Sequence, residues 1–170
     1  MPILISDLSS SDTSARFWRA PSEENYYMDT TPIVARLSAI ANAVNALKNL
    51  QSLTYDEFAR EHVLNASAER DFQVAIQAAI DIGSILLAGM SAKVPESYRD
   101  IFLALADVDI LPRAFAAQLA QMAQFRNVLV HLYLEVDLQK VYQYLQHNLD
   151  DFEQFAKLVG EYLNQTKASD

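Results

Sequence analysis

From Thr31 onward, apolar residues return every three or four positions and little interrupts them. Ile33, Leu37, Ile40, Val44 and Leu47 alternate by four and three, the spacing that lines up one face of a helix. A half-buried strand would need alternation by two. Thr31-Pro32 opens this first helix, with proline in the first turn where its missing N–H costs nothing, and the pattern runs to about Leu50. Thr54 and Glu57 have capping-box spacing and start a short helix. From about Asn65 to Met90, the residues Leu64, Ala68, Ala75, Ala79, Ile82 and Leu86 make an apolar stripe. Arg70, Gln73, Gln77, Asp81 and Ser84 cluster on the opposite face. Pro95 begins a shorter helix to about Asp107, and Pro112 begins another. Asp137 is a good N-cap for a last helix, where Leu138, Val141, Leu145, Phe152, Ala156, Val159 and Leu163 form a long seam. Three glycines and five prolines in 170 residues leave little room for tight turns. The expected fold is all-α: over residues 31–166, an antiparallel four-helix bundle with one or two short extra helices. Residues 1–30 read as an irregular N-terminal arm carrying Phe17, Trp18, Tyr26 and Tyr27.

The composition removes several function classes. There is no cysteine, which excludes disulfides and thiolate metal sites. The start, MPILISDLSSSD, has neither the basic n-region nor the apolar run of a secretory signal. No run approaches the roughly 18 apolar residues of a membrane span, so a cytoplasmic protein with no membrane partner is expected. No Glu-x-x-His pair suggests a di-metal bundle site. His131 and Glu135, four apart, are a weak metal signal by themselves. His62, read as part of a short polar helix, and His147, off the last seam, are expected to be ordinary surface residues. No glycine-rich phosphate loop or Gly-x-Ser-x-Gly elbow occurs. No metal and no cofactor are expected.

One feature does not fit a plain bundle. Counted from Phe115 at about 100° per residue, Phe115, Leu119, Met122 and Leu129 fall on one face, and Arg126 falls among them at about 20°. A buried charge without compensation costs several kcal/mol. Asp71 or Asp81 from a neighbouring helix could pair with it. Otherwise something must use it. The formal net charge of −9 argues against a general nucleic-acid coat. Yet the segment from Arg113 to Tyr133 holds two arginines, one histidine and no acid, which leaves room for a small basic pocket on an acidic body.

The string FRNVLVHLYLEVD around Arg126, His131 and Tyr133 resembles the Arg-x-x-x-x-His-x-Tyr signature of the HEPN superfamily. Its particular likeness is to the HepT-like ribonuclease toxins of toxin–antitoxin pairs. The upstream blocks AERDFQVAIQAAIDIG and PESYRDIFLALADVDILP are also similar to that family, and the likeness spans roughly residues 31–165. It implies a HEPN-like bundle, working as a homodimer, that cleaves RNA (tRNA or mRNA) without metal. By the same mapping Arg126 and His131 are the catalytic pair. Asn127 matches the polar residue after the arginine, and with Arg70 and Asp81 is a candidate for RNA binding or site support. The resemblance further implies a minimal nucleotidyltransferase antitoxin that uses Mg-ATP to place AMP on Tyr133, as in a type VII-like system. The chemistry suits these side chains. Histidine can move protons near neutrality, and arginine offers a charged fork to phosphate oxygens. Competing readings are a non-catalytic helical module that partners a nucleotidyltransferase, with Arg126 a structural charge, and a purely architectural bundle.

Overall fold

The computed structural model describes residues 29–90, 92–130 and 136–168, and among them there are seven helices and no strand. In chain order they are α1 (Thr31–Lys48), α2 (Tyr55–Arg60), α3 (His62–Gly89), α4 (Tyr98–Asp107), α5 (Arg113–Val130), α6 (Leu138–His147) and α7 (Leu149–Ala168). The arm expected over residues 1–30 lies almost wholly outside the described residues. Its last step is visible: the Asp29 carboxylate accepts from the Thr31 N–H at 2.9 Å, turning the chain into α1.

α3 is the axis of the bundle and packs against α1, α2, α4, α5, α6 and α7. The expected stripes are its contacts. Ile33, Ile40, Val44 and Leu47 of α1 are buried, and so are Ala68, Ala75, Ala79, Ile82 and Leu86 of α3. Leu37 and Leu64 are only half-buried. Arg36, early in α1, meets Asp81, late in α3; with a short connection between the helices, this makes them antiparallel. Among the described residues α3 is the one helix long and apolar enough to cross a membrane, unlike the sequence expectation that no such run exists, but over half of that stretch is buried inside the bundle. Gly83 permits the approach of α4: a Cβ there would lie 2.7 Å from Ile101 Cγ2.

Element boundaries depart from expectation in three places. His62 opens α3 rather than sitting on a short polar helix, so α3 begins three residues before Asn65. α4 begins at Tyr98, not Pro95, because Ser97 takes the extended conformation of an N-cap and its carbonyl accepts from Asp100 and Ile101. The last helix is broken at Asn148 into α6 and α7. There the Asn148 amide donates to Asp151 at 2.9 Å, local side-chain bonding that competes with a continuous helix. The short helices therefore number three rather than one or two. The Thr54–Glu57 capping box forms as expected, and Asp137 caps α6 through the N–H groups of Gln139 and Lys140.

The turn into α5 is held by a Schellman motif. The Ile110 N–H bonds to the Leu105 carbonyl at 2.9 Å, and Asp109 sits at φ 60°, a conformation that favours glycine. Buried Leu105 and Ile110 close the motif. It fixes the direction in which α5 leaves, and with it the helix that carries Arg126.

Candidate active site

α5 presents two faces. Phe115, Leu119, Met122, Phe125 and Leu129 are buried in the core. Arg126, beside them, is half-buried and opens onto a cleft of about 520 Å³. α3 forms the floor through Arg70, Gln73, Gln77 and Asp81, and α1 forms the rim through Arg36. Four of the five residues placed by sequence on the polar face of α3 thus line one cleft. The fifth, Ser84, bonds back to the Ile80 carbonyl and is not part of it.

Three guanidinium groups therefore face one carboxylate, in a chain with 13 basic and 22 acidic residues. The carboxylate is already engaged. Arg36 Nε donates to Asp81 Oδ2 at 3.1 Å and Gln77 Nε2 donates to Asp81 Oδ1 at 2.8 Å. Arg36 is further tied to its own helix by a bond to the Pro32 carbonyl. Gln73 Nε2 donates to the Leu129 carbonyl at 2.8 Å, which clamps the end of α5 to α3 one turn beyond Arg126.

Neither Asp71 nor Asp81 pairs with Arg126. Among the described residues it forms no ion pair, and its guanidinium lies 5.3 Å from the centre of the Tyr98 ring. Such a contact is worth about 0.5–2 kcal/mol, less than a paired carboxylate would supply at a desolvated site. Among the described residues, Arg126 Nε is buried with no hydrogen-bond partner, and so is Gln77 Oε1. The cleft thus holds a fixed cation with unused bonding capacity, the property expected of an anion site rather than of a structural charge.

The other candidates divide. Arg70 and Asp81 are brought to Arg126. Asn127 is exposed and does not line this cleft. His131 and Tyr133 lie outside the described residues. His62 and His147 are exposed. Sequence reasoning does not single out Arg36. Its one signal is a position off the α1 stripe, which many solvated arginines share. Tyr98 lies inside a block similar to the family but carries no role assigned from sequence.

Burial also shifts two carboxyls on α3 itself. Desolvation raises Asp71, against hydrogen bonding from Ser67 and the charge of Arg70; desolvation raises Glu69, against the charge of His62. No group of three or more His, Cys, Asp or Glu suited to a metal ion occurs among the described residues.

Comparison with known proteins places this arrangement in a context. A family profile described as ribonuclease HepT-like matches residues 40–159. A protein of Shewanella oneidensis named mRNA nuclease HepT is 30% identical over 125 residues, covering 72% of this chain and 94% of its own. A protein of Aphanizomenon flos-aquae named tRNA nuclease HepT is 27% identical over 131 residues, covering 77% and 89%. Among solved structures, the tri-AMPylated Shewanella oneidensis HEPN toxin in complex with MNT antitoxin superposes with a TM-score of 0.71 at 27% identity, covering 77% of this chain and 98% of that one.

Proposed function

The chain belongs to the ribonuclease HepT-like family, and we propose that it is the endoribonuclease toxin of a toxin–antitoxin pair, with the Arg126 cleft as its RNA site. The observation that carries this reading is the gathering of Arg36, Arg70 and Arg126 round one cleft of an acidic chain, with Arg126 unpaired among the described residues. Phosphate is the ligand such a cleft suits: each guanidinium offers a donor fork, and the net positive charge draws an anionic strand inward.

In the proposed reaction the ribose 2′-hydroxyl attacks the adjacent phosphorus. The hydroxyl proton is removed as the new P–O bond forms, the P–O5′ bond breaks, and the leaving oxygen takes up a proton. His131, five residues after Arg126, is the proton-transfer group. Arg126 stabilises the extra negative charge on the phosphoryl oxygens. Arg70 and Asp81 support the site from α3, and Asn127 is assigned a contact to RNA beyond the cleft. A homodimer brings a second His131, so that base and acid can be separate side chains. The step requires no metal and no cofactor. With RNA and ATP both in the cytoplasm, that is the proposed location.

Silencing is assigned to a nucleotidyltransferase antitoxin that transfers AMP from Mg-ATP to the Tyr133 phenol. A phosphodiester there adds negative charge and a nucleoside seven residues beyond Arg126. The structural relative carries AMP groups and is bound to an MNT antitoxin, which supports the proposal. Incubating purified protein with total RNA in the presence of EDTA tests the first half: cleavage supports it, and intact RNA overturns it. Incubation with the antitoxin and Mg-ATP tests the second. Wild type gains mass in AMP steps and loses activity, whereas Tyr133→Phe does neither; equal mass gain on both proteins removes Tyr133 as acceptor.

A further inference from the structure

The two buried side-chain atoms without a hydrogen-bond partner among the described residues are Gln77 Oε1 and Arg126 Nε. One is an acceptor, the other a donor, and both residues line the same cleft. The orientation of the Gln77 amide is not free. Its Nε2 donates at 2.8 Å to Asp81 Oδ1, and an ionised carboxylate can only accept. A flip would set Gln77 Oε1 against that carboxylate. Asp81 is held in turn by Arg36 Nε at 3.1 Å, and Arg36 by the Pro32 carbonyl at 3.1 Å. A chain of donors running from α1 into α3 thus leaves one fixed acceptor unused, in the floor of the cleft onto which Arg126 opens.

A guanidinium whose Nε–H is held by the protein turns both terminal nitrogens together toward a ligand as a fork. In the free chain Arg126 rests on the Tyr98 ring with that Nε–H unsatisfied. We propose that Gln77 is a positioning residue for Arg126. When a phosphate draws the guanidinium off the Tyr98 ring, Arg126 Nε–H donates to Gln77 Oε1, and both terminal nitrogens are left facing the phosphate. The Arg36–Asp81 pair is then a brace rather than a source of stability. Its side chains are each 36% exposed, so by itself it contributes little, but it keeps the Gln77 acceptor turned the right way. This inference rests on the reading of the cleft as a phosphate site.

The test is an amide–acid exchange. Gln77→Leu removes the acceptor. The double variant Gln77→Glu with Asp81→Asn restores it at unchanged net charge. The carboxylate introduced at position 77 accepts from Arg126 and from the amide introduced at position 81, and the carbonyl of that amide accepts from Arg36. On an RNA substrate, Gln77→Leu should lower kcat by about tenfold with KM within about threefold, the loss expected for one hydrogen bond to a charged group. The double variant should recover most of it. The second readout needs no turnover. In an NMR spectrum assigned by comparison with Arg126→Lys, the Arg126 Nε–H should become protected from exchange when a 2′-O-methyl RNA oligonucleotide is added to wild type or to the double variant. It should stay unprotected in Gln77→Leu. Unchanged kcat in Gln77→Leu, equal loss in the single and double variants, or no protection in wild type each overturns the proposal. Wild-type protein that binds the oligonucleotide but leaves unmodified RNA intact overturns the nuclease reading alone, and the Nε–H measurement still decides the pairing.

Discussion

Asp151 and Arg126 are both charged side chains set against the core of this bundle, and they are treated differently. Asp151, in the first turn of α7, is 9% exposed, and each of its oxygens has a partner: Gln118 Nε2 at 2.8 Å on one and Asn148 Nδ2 at 2.9 Å on the other. One donor comes from α5 and the other from the break between α6 and α7. The carboxylate therefore staples three elements, with both oxygens engaged by the fold. Arg126, one face away from Gln118 on α5, has a ring beneath it and a buried Nε–H with no partner among the described residues. A buried polar group that is fully met serves the fold. One that is left unmet carries a standing cost of about 1–3 kcal/mol, and a ligand that removes the cost gains by it. The two sites should therefore separate cleanly under mutation.

The largest expected effect is on catalysis. Arg126→Ala and His131→Ala should each lower RNA cleavage by about 10²–10⁴-fold, the range for losing a charge-stabilising or proton-transfer group. Their melting temperatures should change little, since removing Arg126 also removes an unsatisfied buried donor. The mirror-image variant is Asp151→Ala. It strands two amides and removes an acid from the first turn of α7, so it should cost about 2–3 kcal/mol and lower Tm by roughly 5–10 °C. At a temperature where it is folded, it should cut RNA at the wild-type rate. Cleavage rates and thermal unfolding on the same preparations check both halves. A severe loss of stability in Arg126→Ala, or a severe loss of activity in folded Asp151→Ala, would erase the distinction.

The difference between these sites also marks how far the sequence could be read. Periodicity places the core stripes because burial repeats with the helix: Phe115, Leu119, Met122 and Leu129 follow from counting, and so does the odd position of Arg126. The capping box at Thr54 and the cap at Asp137 are local chemistry and form as expected. The polar face of α3 is visible in sequence, but that it meets Arg126 and Arg36 in one cleft depends on how α1, α3 and α5 cross, which no single helix encodes. Asn148 falls inside the run that the sequence reads as one continuous last helix. Its side chain bonds locally to Asp151 instead and ends α6. Asp109 gives no signal at all, because its φ of 60° is imposed by the Schellman turn between buried Leu105 and Ile110. The roles of His131 and Tyr133 come from the resemblance of the motif, and those residues lie outside the described part of the chain.

The smallest expected effect tests whether the Asp151 region is as purely structural as its hydrogen bonds suggest. Tyr144 of α6 stacks on Phe125 with ring centres 4.2 Å apart and planes 10° apart. Phe125 directly precedes Arg126 in α5, so the stack joins the two regions. Burial raises the Tyr144 phenol above its ordinary value of 10.0, and the charge of Asp151 raises it further. The folded state therefore keeps a proton that the unfolded state releases. Stability from this group is fully present below pH 10 and is lost as pH climbs from there through the raised folded value. Tyr144→Phe keeps the stack and removes the titration. Denaturant midpoints measured at pH 8 and again above pH 10 should fall less for Tyr144→Phe than for wild type. The gap should be small, since a half-buried phenol is partly screened by solvent. RNA cleavage near neutral pH should be the same in both proteins, because there the phenol is protonated and the stack is intact. A cleavage defect in Tyr144→Phe at neutral pH would mean that the phenol hydroxyl reaches the Arg126 site through the stack, and the division between the two regions would have to be redrawn along α5.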